Sequence, residues 1–131
     1  MSRRRRLLLG VACSGVATLA GGIHPARAHA ALVRSEPSRR AVLTEPPKQV
    51  RLWFNEPVEP DYSSISLLDA AEHLVPTGQA KTSPGDGKLL ILDLPPLAPG
   101  RYTVRYRVNS IDGHIVEASF DFSLEAATGG K

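Results

Sequence analysis

Two stretches near the end of the chain alternate apolar and polar residues without a break. Tyr102, Val104, Tyr106 and Val108 take one phase, and Arg101, Thr103, Arg105 and Arg107 take the other. Val116, Ala118, Phe120, Phe122 and Leu124 alternate in the same way with Glu117, Ser119, Asp121 and Ser123. A period of two fits a strand with one buried face, whereas the apolar face of a helix recurs every three or four residues. Paired as a hairpin, the two phases match only with Arg107 opposite Glu117 and Thr103 opposite Asp121. That register centres the turn on Ile111-Asp112-Gly113, a three-residue loop with glycine at the left-handed position. The arginine stripe then stands beside carboxylates. It reads as a solvated face, each cross-strand pair contributing ~0.2–1 kcal/mol.

The rest of the chain keeps this character, with no helical period sustained over three turns. Val50, Leu52 and Phe54 alternate with Arg51, Trp53 and Asn55 before Pro57 and Pro60 end the run. Ile65 and Leu67 suggest a strand closing at Asp69, and Gly85-Asp86-Gly87-Lys88 reads as a turn. Lys88 to Leu94 is nearly all aliphatic, as expected of a strand buried on both sides or at a sheet centre. Pro95-Pro96-Leu97-Ala98-Pro99-Gly100 predicts a rigid turn, because proline cannot donate to a ladder. Short strands between Pro, Gly and Asp clusters predict an all-β sandwich or barrel of one domain.

The first 28 residues stand apart. Four arginines, Arg3 to Arg6, precede an apolar stretch from Leu7 to Ile23, and Ala26-Arg27-Ala28 supplies a small-x-small cleavage pattern. Seven of those 17 apolar-stretch residues are Gly, Ser, Thr or Cys, which makes it marginal for a membrane span. Residues 1–28 are therefore expected to be a signal peptide, with Arg-Arg-x-Leu-Leu from Arg4 leaving both the Sec and twin-arginine routes open. Residues 29–125 form the expected domain and 126–131 a flexible tail. Five of the 16 basic residues lie in the leader, leaving 11 against 13 acids. On net charge, this excludes a basic, polyanion-binding domain, nucleic acid included.

Residues 29–131 contain no cysteine and no methionine. Disulfides, thiolate zinc sites, blue-copper sites, thioether Cu(I) sites and cysteine nucleophiles are excluded. There is no Gly-x-Ser-x-Gly, His-Glu-x-x-His or phosphate loop. What remains is His29, His73 and His114. Cleavage after Ala28 makes His29 the first residue, offering an amine and ring Nδ1 to one metal. Asp112 and His114 sit two apart at a hairpin tip, although Asp-Gly is also a routine turn and a lone histidine at a strand start is commonly structural. One amine, two imidazoles and a carboxylate make the tetragonal N,O set that suits Cu(II).

The same residues carry a family resemblance. His29-Ala30-x-Leu32-x-x-Ser35-x-Pro37, Val50-x-Leu52-x-Phe54-x-Glu56-Pro57-Val58, Leu97-x-Pro99-Gly100-x-Tyr102-x-Val104-x-Tyr106-x-Val108-x-Ser110-x-Asp112-Gly113-His114 and Phe120-x-Phe122 resemble the CopC family of periplasmic copper-resistance proteins. The resemblance implies an immunoglobulin-like Greek-key β-sandwich of about seven strands. It also implies one Cu(II) per mature chain, held by His29, Asp112 and His114. Some members bind Cu(I) through a methionine-rich loop with a histidine; here that loop has no methionine, and His73 is expected to be an exposed loop residue. Ile115 and Ala118 stand where the family commonly has proline and glycine.

The function expected is an exported, periplasmic or secreted copper chaperone, carrier or buffer. No enzymatic activity is expected, and a monomer is expected, with copper ion and a membrane copper transporter as partners. Two alternatives are a histidine-brace copper mono-oxygenase, in which Asp112 would fill the position oxygen needs, and a metal-free immunoglobulin-like interaction module. Processing decides the matter, since Ala28-His29-Ala30 is a second, overlapping cleavage pattern whose use would discard His29. Intact-mass analysis of the exported protein is expected to show a chain beginning at His29; a chain beginning at Ala31 would remove the proposed site.

Overall fold

The computed structural model describes residues 30–127, together with Gly10. The leader, His29 and residues 128–131 lie outside the described residues. Eight strands occur among the described residues: β1 (Leu32–Glu36), β2 (Val42–Leu43), β3 (Gln49–Phe54), β4 (Ser64–Leu68), β5 (Lys81–Ser83), β6 (Asp86–Asp93), β7 (Gly100–Asn109) and β8 (Ile115–Leu124). The only helical element among them is a three-residue 3-10 turn, Pro60–Tyr62.

The strands form two four-stranded sheets, ordered β1-β3-β6-β5 and β2-β8-β7-β4. Every pairing is antiparallel except β2 with β8. The connections β3 to β4, β4 to β5 and β6 to β7 each switch sheets, as in an immunoglobulin-like Greek-key sandwich. The register expected for the last hairpin is the one observed, with Arg107 opposite Glu117 and Thr103 opposite Asp121. Inward residues of both sheets meet in one core. Val50, Leu52 and Leu92 from one sheet and Val104, Val108 and Phe122 from the other are essentially inaccessible. One ring contact crosses between the layers, Phe54 edge-on to Tyr106 at 5.8 Å, and Tyr102 stacks on Phe122 at 5.5 Å within one sheet.

Three local features differ from or sharpen the expectation. β6 is an interior strand between β3 and β5, but only Leu90 and Leu92 are fully buried. Leu89 and Ile91 lie half-buried on the outer face. The turn before it falls earlier than expected, at Pro84-Gly85, where Gly85 has φ 76° and Ser83 pairs with Asp86; Gly87 and Lys88 belong to the strand. The proline-rich segment buries Leu97 in the core, and the Tyr102 hydroxyl donates back to the Ala98 carbonyl, the tyrosine corner of immunoglobulin-like sandwiches.

This bond fixes where β7 begins and so sets the phase of all ten residues in it. Tyr102→Phe keeps the ring and its stacking while leaving the carbonyl without its donor. Urea unfolding followed by circular dichroism is expected to show a loss of about 1 kcal/mol. An unchanged midpoint would mean the corner contributes nothing.

Candidate metal centre

The β7–β8 ladder runs through ten residue pairs, from Gly100↔Leu124 to Asn109↔Ile115. Beyond it the Ser110 N–H donates to the His114 carbonyl at 2.9 Å, and the Gly113 N–H donates to the Ser110 carbonyl at 2.9 Å. Gly113 has φ 88°, so the three-residue loop Ile111-Asp112-Gly113 has glycine in the left-handed region, as the sequence required.

Ser110 is completely buried beneath this loop. Its hydroxyl donates to Asp112 Oδ1 and accepts from the His114 N–H at 3.3 Å. His114 Nδ1 stands 3.1 Å from the same Asp112 oxygen. The Ser110 hydroxyl above all, and then the His114 ring, hold the Asp112 carboxyl down to about 2. The aspartate is therefore a carboxylate at any physiological pH, while its side chain and that of His114 remain 43% and 38% exposed. Two donors each ~2.0–2.1 Å from one ion and at right angles to each other lie about 2.9 Å apart. The observed separation is close to that bite, with His114 Nδ1 itself buried beside the carboxylate.

The segment after β3 brings the start of the domain to the same end of the sandwich. Asn55 holds Ala31 from both sides, its Oδ1 accepting from the Ala31 N–H at 2.8 Å and its N–H donating to the Ala31 carbonyl at 2.9 Å. Three residues on, Val58 forms a bridge with Ser110, and the Glu59 N–H donates to the Asn109 carbonyl at 2.9 Å. Residues 55–59 thus link Ala31 to the base of the Asp112 loop. Ala30, only 1% exposed, is packed into the core. Glu56 lies between the two anchors with a buried Oε1 that has no hydrogen-bond partner among the described residues.

Of the expected ligands, the structure brings Asp112 and His114 together; His29 lies outside the described residues. Among the described residues no group of three His, Cys, Asp or Glu could hold a metal. His73 lies apart in the exposed β4–β5 loop, its N–H donating to Asp69 Oδ1 at 2.9 Å. Sequence reasoning did not single out Ser110, Asn55 or Glu56 as members of this site. Ser110 had a local signal, a hydroxyl two residues before the carboxylate at a hairpin closure. Asn55 had none, since its tie to Ala31 arises only when β1 pairs with β3; Glu56 had a signal only as part of the family motif.

The CopC domain family matches residues 32–125. This chain belongs to the CopC family. The crystal structure of CopC from Methylosinus trichosporium OB3b is 42% identical, covers 79% of this chain and 100% of its own, and superposes with a TM-score of 0.73. The YobA protein of Escherichia coli K12 is 35% identical over 99 residues, which are 75% of this chain and 80% of YobA. The copper transport protein CutJ of Bacillus subtilis is 31% identical over 104 residues, 79% of this chain but 19% of CutJ.

The serine under the loop gives a direct test of the local electrostatics. A carboxylate whose pKa is depressed on folding contributes stability that is complete above the unfolded value. Asp112's share is therefore lost as pH falls from about 4 towards about 2. Ser110→Ala removes the leading cause, so an NMR titration is expected to move the Asp112 midpoint upward towards the ordinary aspartate range. An unmoved midpoint would show that the hydroxyl does not hold the carboxylate.

Proposed function

We propose that this chain is an exported copper carrier, chaperone or buffer that holds one Cu(II) through the amine and ring of His29, Asp112 and His114. The observation that carries this reading is the Asp112–His114 pair, 3.1 Å apart, at the end of the sandwich where Asn55 pins Ala31. His29 is one peptide bond from buried Ala30, and successive Cα atoms are about 3.8 Å apart, so a chain processed after Ala28 begins at this end. Membership of the CopC family and the 31% likeness to the copper transport protein CutJ support copper as the ion.

The donor set favours Cu(II) over Cu(I). Nitrogen and carboxylate ligands suit the harder, tetragonal ion, and residues 29–131 supply no sulfur. Asp112 beside His114 favours binding over catalysis, because its carboxylate takes a position an oxygen-activating centre must leave open. The family resemblance supports a membrane copper transporter as donor or acceptor of the ion, in the periplasm or outside the cell.

Cu(II) titration of protein starting at His29 is expected to show one tight equivalent and no chelator-resistant Cu(I). Acid releases the ion, because the imidazole and amine ligands must be free of their protons to bind it. His114→Ala is expected to weaken binding more than Asp112→Asn, and one alanine added before His29 to weaken it by orders of magnitude. Undiminished affinity in the extended protein, or no change between pH 7 and pH 5, would overturn the ligand set.

A further inference from the structure

We propose that the outer face of the β2-β8-β7-β4 sheet docks on an anionic lipid bilayer. The sequence count of 11 basic against 13 acidic residues argues against any attraction to polyanions. The fold shows what that count averages away. Arg101, Arg105 and Arg107 occupy outward positions of β7, alternating with buried residues. Arg39 and Arg40 join them, lining with Arg101 a shallow cleft of about 520 Å³ over β8, where the Arg40 N–H donates to the Asp121 carbonyl. An adjoining cleft of about 400 Å³ holds Arg105 and Arg107, and Ser119 lines both.

Five of the ten described basic residues therefore share one face, where β7 and β8 contribute two acids, Glu117 and Asp121; Glu125 lies just past its end. The other five, Arg34, Lys48, Arg51, Lys81 and Lys88, lie on or beside the opposite sheet, whose strands also carry Glu36, Asp86 and Asp93. Asp121 is held by Arg101 and Glu117 by Arg107. Arg39, Arg40 and Arg105 have no acidic partner among the described residues. Arg105 stands between hydroxyls, opposite Ser119 on one side and Ser66 on the other. Unpaired guanidiniums on one face repel each other and attract an opposing anionic surface.

The chemistry of the face selects the occupant. Protein interfaces concentrate binding in buried aromatic or large apolar anchors at their centre. Here the middle of the face carries guanidiniums, serine hydroxyls and Thr103, with exposed apolar residues at its margins, Val42, Ile115 and Tyr62, the last lining a cleft with Arg107. Guanidinium and hydroxyl donors suit phosphate oxygens, and a fluid headgroup layer can match charges spread along strands ~30 Å long. A molecule acidic elsewhere would bind in one orientation, with the β7–β8 tip alongside the bilayer. This inference stands on charge placement and does not need the copper site.

The test uses protein recovered after export and sedimented with vesicles at low salt. Vesicles containing phosphatidylglycerol are expected to retain it, pure phosphatidylcholine vesicles are not, and ~0.5 M salt is expected to release it. Arg39→Gln, Arg40→Gln and Arg105→Gln combined leave both ion pairs intact and are expected to weaken retention about 100-fold, from roughly 1 kcal/mol per surface arginine. Arg34→Gln, Arg51→Gln and Lys81→Gln combined, on the other sheet, should change it little, with thermal melts confirming that both variants fold. Equal loss in the two triple variants, or equal retention by neutral vesicles, would overturn the proposal. So would retention on polyglutamate without retention on phosphatidylglycerol, which would assign the face to an acidic protein.

Discussion

The antiparallel ladder between β7 and β8 is the constraint on which the rest of this structure depends. Its ten pairs fix which side of each strand faces inward, and a slip of one residue would turn one strand's inward set outward, Val104 with Val108 on β7 or Phe120 with Phe122 on β8. The same register decides what stands at the tip. Because Asn109 faces Ile115, three residues must close the loop, and glycine must take the position with positive φ. A carboxylate and an imidazole are thereby carried on the longest pairing in the fold, not on a free loop.

Most of this was legible in local pattern. The alternation at 101–124 specified both strands, their pairing and the loop at 111–113. The run at 50–54 specified β3. Local pattern failed where the cause is not local. β2 and β5 are two and three residues long and exist because longer neighbours offer an edge. The aliphatic run at 88–94 fits a strand buried on both faces or at a sheet centre, and it is the sheet centre that forms. In a two-layer sandwich each sheet has one inner face, so Leu89 and Ile91 remain outside and only half-buried, beside Trp53, which Arg34 covers at 4.6 Å. The tie from Asn55 to Ala31 joins residues 24 apart, which no periodicity announces.

The candidate site was legible in part for the same reason. Asp112 and His114 belong to one turn, so their closeness could be read from spacing. Ser110 completes them from within the hairpin, and its burial gives the hydroxyl no competing water. Glu56 reaches this end through a crossing that only the folded sheets create. Charge behaves similarly. Arginines six residues apart in sequence become one stripe because a strand returns every second side chain to the same face.

β1 belongs to one sheet, while the turn between β7 and β8 belongs to the other. Many immunoglobulin domains clasp their two sheets with a disulfide, and residues 29–131 contain no cysteine to do so. An ion held by the proposed set of His29, Asp112 and His114 would span the same gap, closing a loop of about 80 residues, and such closures restrict the unfolded chain. Binding free energy is then also folding free energy. With that ligand set the cargo would serve as the clasp: a loaded carrier would resist opening and proteolysis, and delivery would leave behind a looser protein.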